Sequence, residues 1–173
     1  DVHARVFDGT RWSPLSQANF VVNTVPATVA NLVISELHYR PASPTPAEIA
    51  AGFDTRGDFE FIELLNIDPE NSISLEGISF FEGITFAGFD SSIPVAARVL
   101  APGERVLLVS NRAAFEFRHG TANIAGEYEG SLRNEGEQTV LLDAGGFPIR
   151  DFSYGVVFPW PEAAGDGSGF SLV

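Results

Sequence analysis

The sequence predicts an all-β sandwich with one or two short helices in its connections. Two observations carry this. The apolar runs are short, as in LVISELHY (32–39), FEFIELLN (59–66) and RVLLVS (105–110), and their lengths suit strands rather than helices. Turn dipeptides then punctuate the chain at Glu82-Gly83, Pro102-Gly103, Gly145-Gly146 and Asp166-Gly167. Many short strands separated by such turns point to sheets packed face to face.

Taken in order, residues 1–24 read as a strand, a polar turn at Asp8-Gly9 and a second strand. This resembles the last hairpin of an immunoglobulin-like or fibronectin type III-like domain whose body lies upstream. The other reading adds the ribbon to the edge of the main fold. The chain opens on Asp1 rather than Met and reads as an excised piece of a longer protein. Residues 25–31, VPATVAN, read as a linker, and residues 32–173 as the main domain.

In FEFIELLN the side chains alternate, so Phe59, Phe61, Glu63 and Leu65 share one face, and Glu60, Ile62 and Leu64 the other. Each face is mostly apolar, which predicts a strand covered on both sides with its acids near an edge or loop. LVISELHY alternates the same way, Val33, Ser35, Leu37 and Tyr39 opposing Leu32, Ile34, Glu36 and His38. RVLLVS predicts a buried strand.

Two helices are predicted. Thr45-Pro46-Ala47-Glu48 is a capping box with Pro at the first helical position, opening a helix over about 46–51 that ends at Gly52. RAAFEFR (112–118) follows Asn111 as N-cap and stops at Gly120.

The succession SEL before a Tyr39-Arg40-Pro41 turn, EFIELLN, LAPGERVLL, SLRNEGE followed by VLLD, Asp151 through Tyr154, and Trp160-Pro161 before GDGSGFSL resembles the bacterial form of the lamin tail domain family. The resemblance covers about residues 32–173. It implies an immunoglobulin-like β-sandwich used as a non-catalytic interaction or structural module in a larger secreted or cell-envelope protein. The implied partners are neighbouring domains of the same polypeptide and a protein or carbohydrate ligand, and the implied location is extracellular or the cell envelope. One departure is Ile78 where the family carries Trp, which predicts that Phe80 or Phe81 fills the space.

Charge bounds the partners. The net charge is −13, and the ten basic residues are all Arg. Asp1 and Asp8 balance Arg5 and Arg11 in residues 1–30, so the whole excess falls in residues 31–173. Such a surface repels phosphate backbones and anionic lipid, so neither nucleic acid nor membrane is an expected partner. No apolar run approaches the ~20 residues of a membrane helix. With no Cys, disulfides and thiolate metal sites are excluded.

The sharpest candidate site is a carboxylate cluster. Glu36 on the first main strand and Asp58 and Glu60 at the second, with Asp54 and Glu63 nearby, would converge if the strands pair. Calcium takes six to eight oxygen ligands, so a calcium-stabilised adhesion module is the alternative function. The plainer account is that these acids bond to backbone amides or Arg. Gly165–Gly169 around Asp166 reads as a turn into a final strand over 169–173.

No enzyme is expected. The only histidines are His3, His38 and His119, and no G-x-S-x-G elbow is present. An accessory part of a hydrolase is the remote alternative. Arg56-Gly57-Asp58 spells an adhesion tripeptide in a loop that already favours Gly. Trp160 between two prolines reads as a core cap rather than a sugar platform.

Overall fold

The computed structural model describes residues 2–18, 24–86, 88–90 and 92–173. Strands dominate, and short helices occupy the connections, as an all-β chain requires. The first strands are β1 (Val2–Ala4), β2 (Ser16–Ala18), β3 (Thr24–Pro26), β4 (Leu32–His38), β5 (Phe61–Asn66), β6 (Ser72–Ser74) and β7 (Ser79–Glu82). They are followed by β8 (Ile84–Thr85), β9 (Val99–Leu100), β10 (Arg105–Val109), β11 (Ile124–Glu127), β12 (Glu129–Gly130), β13 (Gln138–Leu142) and β14 (Pro148–Ser153).

At the N-terminus β1 and β2 pair antiparallel, with Val2 opposite Ala18. The Asp8 carboxylate accepts from the Thr10 and Arg11 N–H groups at 2.8 and 2.7 Å, which closes the expected hairpin turn. Phe7 and Trp12 face each other across it at 4.8 Å between ring centroids, and Arg5 lies 4.3 Å over the Trp12 ring. Side chains from His3 to Ser16 are exposed. Residues 19–23, within the segment read as the second strand, lie outside the described residues.

The stretch read as a linker starts as structure. Thr24–Pro26 pairs in parallel with β6, which pairs antiparallel with β9. Asn31 then folds the turn: its side-chain amide donates to the Pro26 carbonyl at 3.0 Å, and its oxygen accepts from the Thr28 N–H at 2.7 Å. A three-residue strand shows no readable alternation, and its partner is distant in sequence.

The largest sheet runs β11-β10-β5-β4. Val106 to Val109 of β10 are buried, as the continuous apolar run predicts. β4 and β5 do pair, antiparallel: His38 opposes Phe61, Leu37 opposes Ile62 and Glu36 opposes Glu63. The register then slips, and Ile34 opposes Leu64. Ser35 is the extra residue of a β-bulge. This corrects the strict alternation expected of LVISELHY. Leu32 and Ile34 face the core before the bulge, Leu37 and Tyr39 after it.

One core cluster joins Ile62, Leu64 and Leu108 of this sheet to Phe80, Leu141 and Ile149 of the three-stranded β14-β13-β7 sheet. The opposite face of β5 and β10 carries a second cluster of Phe61, Leu107, Val109, Phe115 and Ile124. β5 is therefore covered on both sides, as its sequence predicts. Ile78 and Phe80 are buried, whereas Phe81 is exposed. Phe80 is thus the phenylalanine that joins the core beside Ile78.

Both expected helices form. In α1 (Pro46–Ala50) the capping box is complete, Thr45 and Glu48 each satisfying the other's backbone N–H. Two further single turns, α2 (Val95–Arg98) and α4 (Glu162–Gly165), follow Pro94 and Pro161 and are too short to leave a periodic signal. The helix capped by Asn111 and Gly120 is α3 (Arg112–His119). The helix count therefore exceeds the one or two expected.

The NEGE turn explains its glycine. Gly136 sits at φ +102°, and a Cβ there would collide with the Tyr154 carbonyl. The strand expected over 169–173 is reduced to a bridge between Leu172 and Leu37. Gly169 has a φ of +96°, outside the extended region, so the chain straightens late.

Candidate functional site

The bulge at Ser35 opens a groove beside β4. Ile34, Ser35 and Glu36 form one wall, and Phe152, Trp160 and Leu172 face them around a cavity of about 360 Å³. That volume lies in the range of small-ligand sites. Trp160 is held by its backbone N–H, which donates to the Val157 carbonyl at 3.0 Å, and by Phe152, 6.3 Å away between ring centroids. The Phe158–Pro159 peptide is cis. The indole packs against the core, as expected, and also lines the groove. Phe158, next to the lining residue Pro159, and Val173, itself in the lining, are each more than half exposed.

One carboxylate, Glu36, lines the groove, and Glu63 opposes it on β5. Ser35 donates to Glu63 at 2.7 Å, and Glu63 also accepts from Arg105 at 2.9 Å. Glu36 accepts from the Ser171 hydroxyl through Oε1. No basic side chain lines the groove among the described residues.

The three carboxylates considered for calcium each have separate partners. Asp58 closes a capping box on Thr55 at the start of a 3₁₀ turn, Arg56–Phe59. Glu60 is 4% exposed and accepts from the Leu132 N–H at 2.9 Å and the Tyr128 hydroxyl at 3.3 Å. Burial pushes its carboxyl up to about 7, against those two hydrogen bonds and with help from Glu137. Glu60 lies in the connection just before β5, as expected of an acid of this strand, but it is buried there on the face that alternation groups with Ile62 and Leu64. Among the described residues no three His, Asp or Glu side chains gather around a metal-sized site.

A buried ion pair that sequence reasoning missed joins the two capped helices. Glu48 meets Arg118 at 2.7 Å. The guanidinium, then the Thr45 N–H, hold the Glu48 carboxyl down to about 2. Arg118 also lies 3.3 Å over the Phe59 ring. Its separation from Glu48 left no local signal.

The adhesion tripeptide is folded into the body. Arg56 donates to the Pro41 and Gly167 carbonyls, both at 3.1 Å, and to Ser43 at 2.7 Å. The Asp166 turn forms as expected, its carboxylate accepting from the Ser168 N–H at 2.7 Å. His38 is buried edge-on against Phe61 at 5.0 Å, which closes it to a substrate. Burial, then the charges of His119 and Arg118, lower its pKa to about 4, against a raising contribution from the Gly169 backbone. No helix among the described residues is long and apolar enough to cross a membrane.

No family model, curated protein or solved structure matches this chain.

Proposed function

We propose that this chain is a non-catalytic interaction and structural module of the lamin tail type. It is an immunoglobulin-like β-sandwich in a larger bacterial secreted or cell-envelope protein, contacting protein or carbohydrate. The observation that carries the reading is the groove at the β4 bulge. It joins an indole, an apolar wall and a carboxylate that has no cationic partner in the lining. Bulges re-aim side chains at functional edges, and concave apolar sites with a few polar groups are where ligands bind.

The sandwich is supported by the core cluster, which draws side chains from the four-stranded and the three-stranded sheet. The family is supported by what its motif residues do. Asn66 of EFIELLN is fully buried and donates to the Asn71 and Leu100 carbonyls at 3.0 and 2.9 Å. The Tyr154 hydroxyl lies 3.1 Å from the Arg133 carbonyl and 3.0 Å from Glu137 and shares its one proton between these acceptors, tying the NEGE turn to the end of β14. The exposed hairpin at the N-terminus is then the last ribbon of a preceding domain, and neighbouring domains are the first partners.

The test uses Trp160 as its own reporter. In a Trp12→Phe background it is the one remaining indole. Its emission is titrated with a panel of oligosaccharides and a panel of extended peptides. A saturable shift with either class is expected. A flat response to both rejects the groove as the contact surface.

A further inference from the structure

We infer that Arg40 and Arg56 form a binding site for one tetrahedral oxyanion, a sulfate or phosphate group. The site shares no residue with the groove lining and goes beyond the function proposed above.

Three observations carry it. First, the two guanidinium groups converge from separate parts of the chain. Arg40 follows β4, and Arg56 opens the 3₁₀ turn Arg56–Phe59. Both reach the Gly165–Gly169 segment. Arg40 donates through Nη1 to the Gly165 carbonyl, and Arg56 through its own Nη1 to the Gly167 carbonyl at 3.1 Å. A Cβ on Gly167 would strike the Arg56 guanidinium and stand 3.5 Å from Arg40 Nε. Gly167, at φ +79°, thus leaves room where the two cations approach each other. Like charges so placed repel, and a shared anion turns that repulsion into attraction.

Second, neither cation has a carboxylate in ion-pair contact. Residues 31–173 hold eight Arg. Arg98, Arg105, Arg112, Arg118 and Arg133 each pair with a glutamate. Among the described residues Arg40, Arg56 and Arg150 bond to carbonyls or a hydroxyl instead. Asp166 acts on Arg40 through its charge, but its carboxylate closes the turn onto the Ser168 N–H at 2.7 Å. A chain of net charge −13 has carboxylates in excess, yet none of those described pairs with these two cations.

Third, the donors are held in place and some remain. A guanidinium carries five N–H groups. Arg56 uses Nη1 on Pro41 and Gly167, both at 3.1 Å, and Nη2 once, on Ser43 at 2.7 Å. Its Nε–H and one Nη2 N–H remain without a partner among the described residues, and Arg40 uses only Nη1. Arg56 is exposed and Arg40 half-buried, so these groups are open to a ligand. Three hydrogen bonds fix Arg56 beforehand, so little side-chain entropy is lost on binding. A carboxylate lies in one plane and carries one charge. A tetrahedral dianion presents oxygens in several directions and meets both cations at once. A polyanion would meet the acidic body as well, so a single group is taken rather than a chain of them.

The experiment is isothermal titration calorimetry at constant ionic strength and about pH 8, where phosphate groups are dianions. The probes are inorganic phosphate and glucose 6-phosphate. One saturable site is expected, with sulfate competing for it. Tighter binding of the sugar phosphate assigns the group to an ester, and equal binding assigns it to the free ion. Arg40→Gln and Arg56→Gln should each weaken binding about tenfold, the worth of a charge-assisted hydrogen bond. Arg150→Gln makes the same change in net charge and should leave binding nearly unchanged. Asp166→Ser keeps an acceptor for the Ser168 N–H and removes the negative charge beside Arg40, so it should tighten binding, which a damaged fold does not do. No saturable binding of either probe overturns the site. Undiminished binding in both Arg40→Gln and Arg56→Gln overturns it too, as does an equal loss in Arg150→Gln, which would make net charge alone the cause.

Discussion

Two carboxylates are buried to nearly the same degree, Glu48 at 5% and Glu60 at 4% exposure. Around Glu48 stand a guanidinium at 2.7 Å and the Thr45 N–H at 2.6 Å. Around Glu60 stand only neutral donors, the Leu132 N–H and the Tyr128 hydroxyl. The first carboxyl is held down to about 2 and the second pushed up to about 7. Burial alone therefore does not set the charge of an acid. What decides it is whether a full positive charge or only partial ones replace the lost water.

The largest break in this comparison is Arg118→Leu, which strands Glu48 without its cation and removes the contact over Phe59. We expect a loss of roughly 3 kcal/mol in urea unfolding, with the slope unchanged. Glu48's contribution is present above its ordinary value of 4.5 and is lost as pH falls through about 2. Below that, the part of the gap due to the ion pair should close, leaving the part due to the lost Phe59 contact.

Glu60→Gln tests the other acid with the opposite sign. Because its folded pKa is raised, Glu60 contributes stability below 4.5 that is lost as pH rises through about 7. Glutamine still accepts from Leu132 and Tyr128 but never ionises. At pH 8 the variant should exceed the parent by roughly 3 kcal/mol, and at pH 4 the two should match. Equal stability at pH 8 would mean that Glu60 ionises without cost.

His38 sharpens the same contrast by about 1–2 kcal/mol. Its folded pKa is depressed, so its contribution is full above 6.5 and falls away as pH drops through about 4. Between pH 4.5 and 6.5 it opposes Glu60, and the two slopes offset in the parent. Chemical denaturation across pH should show a steeper acid-side loss in Glu60→Gln than in the parent. In His38→Phe the alkaline-side loss attributable to Glu60 should stand alone. Parallel curves for all three proteins would exclude both assignments.

The smallest expected effect is that of calcium. Glu36, Asp58 and Glu60 each have protein donors of their own, so thermal midpoints in millimolar calcium and in excess chelator should agree within about one degree. A rise of several degrees would restore the calcium-stabilised module.

Local features were legible in the sequence. The capping box at Thr45 and Glu48, the Asn111 cap and the Asp8 turn each depend on residues three or fewer apart, so a short window contains all the chemistry. The buried run in β10 was legible because burial on both faces leaves an unbroken apolar string. The ion pair between Glu48 and Arg118 was not, because two exposed-looking charges meet only after the sheet brings α1 and α3 together. Glu60 was half legible: alternation gave its face, but not the depth of its burial. The groove was least legible, since it depends on one unpaired serine and on a loop more than a hundred residues downstream.

The inserted serine has one more consequence. β4 carries its inward residues at even numbers before Ser35 and at odd numbers after it, so the strand has a reading frame. Deleting Ser35 would leave Leu32, Ile34, Leu37 and Tyr39 alternating in one phase against Leu64 and Ile62, whereas deleting Val33 would turn Leu32 out of step with the rest. At this position the extra residue costs the core nothing: what its loss would remove is the bulge, and with it the wall of the groove.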